Sequence, residues 1–312
     1  MGGVGFSSGG LEVRKTLTFL QSGREIPPEA VCRDRRIDFT RPRVMGIINA
    51  TPDSFSDGGR FADPFAALDM IARMTEEGAD IIDIGGESTR PGSGEVDEAE
   101  ELRRVMPILE RLDMTAGPLI SIDTRKPAVA RASLEAGVHI VNDIGAFADP
   151  GMRAAVAEAG AAAVLMHMKG EPGTMQEAPV YSDVVREVAG FLEERAGAAE
   201  QAGIGSVWVD PGIGFGKSWD HNLEILRALS CFTKLGRPLV VGVSKKTFIG
   251  KATGVERAAD RLIGTKVAEA FAVMGGADVI RTHDVGEAIE GIKMAKALVR
   301  GTVAPENFRE VR

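Results

Sequence analysis

Eight short apolar runs, each followed by a segment with helical spacing, recur along the 312 residues of the chain. The runs are Val44–Ile48, Asp80–Ile84, Leu119–Ile122, His139–Val141, Ala163–Met166, Val207–Val209, Leu239–Val243 and Val279–Ile280. Runs this short and this continuously apolar predict strands covered on both faces. The spacing between them predicts helices over about 64–77, 96–112, 127–136, 151–159, 182–202, 221–229, 257–274 and 285–299. Asp63-Pro64 and Asp149-Pro150 place a capping acid before a proline suited to the first helical turn, and Gly78, Gly137, Gly160, Gly203 and Gly275 stand where helices should stop. Strand-helix units repeated in tandem predict a (β/α)₈ TIM barrel of the α/β class, with an open doubly wound sheet as the alternative.

No shift in composition divides the chain beyond about residue 43, so the expected organisation is an N-terminal extension over 1–40 and one barrel domain over 41–312. The first ten residues are rich in Gly and Ser and are expected to be disordered. Between Leu11 and Pro42, short apolar pieces broken by Arg, Gly and Pro suggest a hairpin covering one end of the fold.

The chain carries 37 Lys and Arg against 45 Asp and Glu, a formal charge of −8, which disfavours non-specific binding to nucleic acid or an anionic membrane. Cys32 and Cys231 lie far apart, as expected of free thiols in a reducing compartment. Neither a membrane-length apolar run nor the pattern of a signal peptide is present, so a cytoplasmic location is expected.

In a barrel of this kind the C-terminal ends of the strands form the site. Here those ends present Asn49, Gly85 to Gly92, Asp123, Asn142-Asp143, His167, Asp210, Ser244 to Thr247, and Arg281 to His283. Taken singly, Asp123, Asn142 and Asp210 read as turn or cap residues; their convergence on one mouth reads as a pocket for a polar, partly anionic ligand. Of Lys245 and Lys246, Lys246 is expected to face the site. Arg281 and His283 are spaced to point the same way and to converge on a phosphate. His139 is expected to be structural, His221 solvated, and His167 is open.

The segment Pro211-Gly212-Ile213-Gly214-Phe215-Gly216-Lys217-Ser218 fails as a phosphate loop, because Pro211 occupies the place of the first glycine, and Lys217 spoils a dinucleotide fingerprint. No His/Cys spacing suits zinc, so an oxygen-bound Mg²⁺ is the one metal to expect.

The stretches NATPDSFSDGG, GGESTRPG, SIDTRKP, VNDIGAF, DPGIGFGK, GVSKKTFIG and RTHDV, spread over about residues 44–285, resemble the dihydropteroate synthases of the pterin-binding barrel family. The resemblance implies that 6-hydroxymethyl-7,8-dihydropterin pyrophosphate is joined to para-aminobenzoate with release of pyrophosphate. It assigns the pterin to Asp123, Asn142, Asp210 and Lys246, with Arg281 stacked on the ring. It also assigns the pyrophosphate to Thr89 and His283, and to Asn49 through Mg²⁺. Asp57, Arg90, Asp123, Lys246 and His283 are the implied catalytic residues, in a reaction that breaks the C–O bond before the amine attacks. Para-aminobenzoate is implied to lie between Phe55, Pro91, Phe215 and the Lys246 stem, with its carboxylate near Thr247. Loops 50–60 and 87–94 are implied to close over the site, and a homodimer is the implied assembly.

Ser244-Lys245-Lys246-Thr247 departs from the family's usual Ser-Arg-Lys-Ser, which bears on arylamine and sulfonamide affinity. Ala50 and Thr282 replace larger apolar residues and are expected to affect packing alone. A silent pterin-binding paralogue and a methyltransferase serving a corrinoid protein are the alternatives. The intact polar set disfavours the first; the Ser/Thr-rich acidic loop after Asn49 and the Arg281-x-His283 pair disfavour the second.

Overall fold

A computed structural model describes residues 26–51, 63–88, 96–171 and 173–300. Eight parallel strands form its centre: β3 (Arg43–Asn49), β4 (Ile81–Gly85), β5 (Leu119–Asp123), β6 (Ile140–Asp143), β7 (Ala162–Met166), β8 (Val207–Asp210), β9 (Val240–Gly242) and β10 (Val279–Thr282). They follow the order β8-β7-β6-β5-β4-β3-β10-β9. A parallel bridge from Val209 to Leu239, with the Val209 N–H donating to the Pro238 carbonyl at 2.9 Å, joins the two outer members. The result is a (β/α)₈ barrel rather than an open sheet.

Around it run α1 (Pro64–Glu77), α2 (Glu98–Leu109), α3 (Pro127–Glu135), α4 (Pro150–Ala159), α5 (Val184–Gln201), α6 (Trp219–Arg227), α7 (Leu229–Phe232), α8 (Thr247–Thr253), α9 (Leu262–Met274) and α10 (Val285–Arg300). Asp63 and Asp149 cap α1 and α4 by accepting the N–H groups of Phe65 and Gly151 at 2.9 and 2.6 Å. The stop expected at Gly275 is found there: α9 ends at Met274 with Gly275 as its C-cap at φ −76°, and the left-handed turn follows at Gly276, at φ 101°. The helix expected from 257 starts as a single 3₁₀ turn, Ala258–Asp260, and becomes α-helical at Leu262. The seven-residue α8 had no counterpart in the spacing, because a piece so short shows no helical period.

The strands look uniformly apolar because each face has its own cover. Val44, Ile48, Ile82, Ile84, Ile120, Ile122, Val141 and Leu165 pack outward into one cluster with the helices. Their alternates Met45, Ile81, Leu119, Ile140, Ala162, Val164, Trp208, Val240 and Val279 form a second cluster without any helix residue, which is the barrel interior. That interior cluster is completed by an antiparallel hairpin, β1 (Glu29–Cys32) and β2 (Arg35–Asp38), through Ala30, Cys32, Ile37 and Phe39. Phe39 meets the Trp208 ring edge-on at 5.5 Å. The hairpin thus closes the N-terminal end of the barrel. It is fastened there by the Arg33 N–H on the Gly160 carbonyl at 2.8 Å and by Arg35 on the Gly117 carbonyl at 2.7 Å. Burial pushes the Cys32 thiol up to about 12, which leaves it an unreactive packing group.

Candidate active site

Toward the C-terminal end, the same inward positions turn polar. Asn49, Gly85, Asp123 and Asn142 are successive partners across β3 to β6 and so form one row. One inward position earlier stands Asp83, paired with Ser121. Arg281 is in register with Met45 and Gly242, and its side chain extends toward the mouth. Its Nε donates to Asp83 Oδ2 at 2.6 Å and its Nη2 to Asp123 Oδ2 at 2.5 Å, while Asn142 Nδ2 donates to that same Asp83 oxygen at 3.0 Å. Burial alone would weaken the Arg281 charge, but Asp83 and Asp123 more than offset it and raise its pKa. Burial pushes Asp123 up to about 7 against the pull of Arg281, with Asp83, Glu101 and Asp143 acting in the same upward direction.

Across the mouth, buried Asp210 accepts the Gly212 N–H at 2.7 Å. Burial raises its pKa, opposed mainly by Lys246. Burial lowers Lys246 to about 8, opposed mainly by Asp210. The Lys246 ammonium donates to the Ile213 carbonyl and lies 4.7 Å from the Phe215 ring centre. A Cβ on Gly214 would come within 3.2 Å of the Lys246 stem, so the bare glycine lets the lysine through. The two lysines separate because Lys245 sits at φ 59°: its ammonium turns to Asp284 Oδ1 at 2.7 Å while Lys246 faces the mouth. His283 Nδ1 lies 2.9 Å from Ser244 Oγ, which also accepts the His283 backbone N–H at 3.2 Å. Exposed Thr247 opens α8 directly after Lys246.

Asp123, Asn142, Asp210, Lys246, Phe215, Arg281 and His283 therefore stand on strand ends and loops around one mouth, with Asn49 on the same row. Phe55, Asp57, Thr89, Arg90 and Pro91 lie outside the described residues. Among the described residues, no group of three or more His, Cys, Asp and Glu side chains is placed to hold a metal.

His139 is structural: its Nδ1 accepts the Ile120 N–H at 3.0 Å and its Nε2 lies 3.0 Å from the Met114 carbonyl. His221, expected to be solvated, instead forms a capping box with Ser218, the two backbone-to-side-chain bonds being 3.2 Å each. Thr282 does more than pack, since its hydroxyl accepts Lys266 Nζ at 3.1 Å.

Lys217 resolves the Gly-rich segment. Fully buried, its Nζ lies 2.8 Å from His167 Nδ1 and within 2.9, 3.0 and 3.3 Å of the Gly212, Phe215 and His167 carbonyls. Burial pushes the pKa of Lys217 well down, yet the carbonyls can only accept, so the three N–H groups of an ammonium serve His167 Nδ1 and the Gly212 and Phe215 carbonyls, with the longer contact to the His167 carbonyl shared. Burial, then Lys217, drives His167 down to about 3, which fixes it as the neutral acceptor. Gly212 and Gly216 are required by close approach, because a Cβ there would come within 1.9 Å of the His167 carbonyl oxygen and 2.1 Å of the Lys169 carbonyl oxygen. The loop wraps its own lysine instead of a phosphate.

Residues 45–283 match the profile of the pterin binding enzymes. The chain belongs to this family. It is 45% identical over 275 residues to the dihydropteroate synthase of Escherichia coli K12, covering 88% of this chain and 96% of that protein. Among solved structures it resembles the Xanthomonas albilineans dihydropteroate synthase in complex with 7,8-dihydropteroate, at TM-score 0.79 and 43% identity over 87% of this chain and 98% of that one. It also resembles the Yersinia pestis dihydropteroate synthase with a sulfonamide drug complex, at TM-score 0.82 and 42% identity over 88% of this chain and 100% of that one. The matched span of this pterin-binding enzyme runs from β3 through β10, and the closing hairpin lies before it.

Three polar features of this pterin-binding barrel escaped the sequence reading. Asp83 was hidden inside an apolar run. Lys217 was read only as a failed motif. The third is Lys126, whose Nζ donates to Glu87 and to fully buried Glu101 at 2.6 Å each, while Glu87 also accepts the Val96 N–H at 3.3 Å. For Asp83 and Lys217 the available signal was a charge on a segment otherwise buried, whereas Lys126 stands in a half-buried polar turn that carries no such signal.

Proposed function

We propose that this barrel is a dihydropteroate synthase, joining 6-hydroxymethyl-7,8-dihydropterin pyrophosphate to para-aminobenzoate. The observation that carries the reading is the meeting of Asp123, Asn142, Asp210, Lys246 and Arg281 at one mouth, in a chain whose relatives carry that name. A pterin edge presents N–H donors beside acceptors. The carboxylate of Asp210 can take two parallel N–H groups, Lys246 can donate to a ring acceptor, and the flat guanidinium of Arg281 suits the ring face.

The methylene C–O bond breaks with its electron pair leaving on the pyrophosphate. The amine lone pair of para-aminobenzoate then bonds to the methylene carbon, and the amine proton passes to solvent. His283, held by Ser244, together with Thr89 and Arg90, serves the leaving group; Asp123 and Asp57 balance the developing cation. Phe55, Pro91, Phe215, the Lys246 stem and Thr247 receive the arylamine. The Asn49 amide, at the mouth end of β3, offers a neutral oxygen of the kind Mg²⁺ accepts from a protein while keeping its other oxygens from pyrophosphate and water. Asn49 would hold that ion, whose contribution is to neutralise the leaving group.

A homodimer is supported by α9, where Ile263, Val267 and Phe271 form a stripe 80%, 66% and 44% exposed, and by Met294 and Leu298 on neighbouring α10, 59% and 58% exposed. Val267→Glu should shift the sedimentation coefficient to that of a monomer. Free thiols at Cys32 and Cys231 support a cytoplasmic setting.

The decisive assay is pyrophosphate release from the pterin pyrophosphate with and without para-aminobenzoate and Mg²⁺. Turnover should require both. Release indifferent to para-aminobenzoate would sink the synthase reading, and binding without turnover would favour the silent paralogue.

A further inference from the structure

Arg281 and Asn142 are long or rotatable side chains, and each could adopt several orientations that waste its hydrogen-bonding capacity. Both converge on one fully buried atom, Asp83 Oδ2, at 2.6 and 3.0 Å. We propose that Asp83 is the positioning residue of the pterin pocket, fixing the guanidinium plane of Arg281 and turning the amide of Asn142 so that its oxygen, and not its nitrogen, faces the substrate. The inference rests on the synthase reading for the identity of that substrate, but its geometry does not.

A carboxylate accepts and never donates, so the atom of Asn142 that faces Asp83 must be the nitrogen, and the oxygen must be on the other branch of the amide. Asp83 stands one inward position before the row that holds Asp123 and Asn142, so the nitrogen is directed back into the barrel and the oxygen toward the mouth. Asn142 is then an acceptor that selects a ligand N–H. Arg281 is held by the same acid. Its Nε is engaged by Asp83 and its Nη2 by Asp123 at 2.5 Å, so two bonds on different nitrogens hold the plane against rotation. Asp123 is the half of this pair that lies in the substrate row; Asp83, sealed below it, touches only protein. The division explains an otherwise expensive acid in the middle of the strand Ile81–Gly85.

The test uses the full chain and its Asp83→Ala and Asp83→Asn variants. In the unliganded wild type, the side-chain amide of Asn142, assigned by its loss in Asn142→Ala, should show slow proton exchange in ¹⁵N-resolved spectra, and that protection should vanish in Asp83→Ala. Calorimetric affinity for the pterin pyrophosphate should fall about 10- to 100-fold in Asp83→Ala, the usual effect of losing bonds to a charged partner. The KM for para-aminobenzoate at saturating pterin should stay within about twofold, since the proposal places Asp83 away from the arylamine. In the Asn142→Ala background the same Asp83→Ala change should cost markedly less, because the two groups act as a unit.

A folded Asp83→Ala with wild-type pterin affinity would overturn the proposal, as would additive losses in the double variant or an unprotected Asn142 amide in the wild type. Should Asp83→Ala fail to fold, Asp83→Asn gives the same readings: it keeps the shape but permits the amide of Asn142 to turn, so its protection should drop. A wild type that protects Asn142 yet binds no pterin would remove the substrate assignment and leave the positioning role standing.

Discussion

The interior of the barrel has two ends built from the same strands at alternate positions, and they obey opposite rules. At the hairpin end, Met45, Ile81, Leu119, Ile140, Val240 and Val279 meet Ala30, Cys32 and Ile37 with hardly a polar atom among them. At the mouth, inward positions on the same strands carry Asn49, Asp83, Asp123, Asn142, Asp210 and Arg281. Sealing one end with hydrocarbon makes it a source of stability through burial. The other end concentrates charge that folding alone would not favour and that only pairing or a ligand can compensate. Stability and chemistry are thereby separated along the barrel axis, a few residues apart.

The largest effect that tests this separation should come from Trp208→Ala. Trp208 is fully buried, packs on Phe39 and donates its indole N–H to Ser206 Oγ at 3.0 Å. Its removal should cost about 3–5 kcal/mol of folding free energy in denaturant titration. Pterin affinity of the folded fraction should change little; a comparable loss of affinity would show that the two ends are coupled.

Next in size, and opposite in kind, is Asp210→Asn at the mouth. The amide can no longer accept two parallel N–H groups, so pterin binding should weaken by about 1.5–3 kcal/mol in calorimetry. Stability below about pH 8 should fall, because the variant takes from Lys246 the acid that supports its charge. Unchanged affinity would place the pterin elsewhere in the mouth.

A smaller effect is the pH dependence of pterin binding. Asp123, raised to about 7, must lose its proton and Lys246, lowered to about 8, must keep its own, so affinity should peak between those values and fall by about tenfold per pH unit on either side. The stability signs differ. Because the folded pKa of Asp123 lies above its ordinary value, the folded state holds the extra proton from about pH 4 to 7, and the stability this group contributes is lost as pH rises through about 7. Lys246 is depressed, so above about pH 8 the unfolded chain holds the extra proton and stability recovers as pH rises. Asp210→Asn should move the alkaline limb of binding to lower pH, since Asp210 supports the Lys246 charge; a limb that stays put would assign it to another group.

The contrast also explains what could be read from the chain. Strands and most helix ends were legible because burial on both faces leaves continuous apolar runs, and capping acids such as Asp63 and Asp149 bond locally. The barrel's (β/α)₈ class followed from the repetition. Asn142, Asp210 and Lys246 were legible as candidates because each interrupts the pattern where a run stops. Asp83 was not, since Ile81, Ile82 and Ile84 surround it and the run was read as one apolar block. Its parity with Asp123, one inward position earlier by register, was the missing signal. His221 stands at the start of a helix as expected, but its capping role was not legible, because a capping box depends on Ser218 three residues away, a pairing that hydrophobic spacing does not report. The stop at Gly275 was legible, but which of the two adjacent glycines makes the left-handed turn was not, because only backbone geometry separates them.

The smallest expected effect lies at the outer edge of the mouth. Thr247 is exposed beside half-buried Lys246, so Thr247→Ser deletes one methyl that is only partly removed from water. A fully buried methylene contributes about 0.8 kcal/mol, which caps the change in arylamine or sulfonamide affinity at about fourfold. The pterin-binding groups stand on the inner faces of the strands and on the loops after β8 and β9, so their affinity should be unaltered when the edge alone is changed. Measuring the KM for para-aminobenzoate, the sulfonamide inhibition constant and pterin affinity on the same variant therefore asks whether edge and interior are separate subsites. An effect confined to the pterin would reverse the assignment of Thr247, because a methyl at the rim has no path to the buried acids except through Lys246.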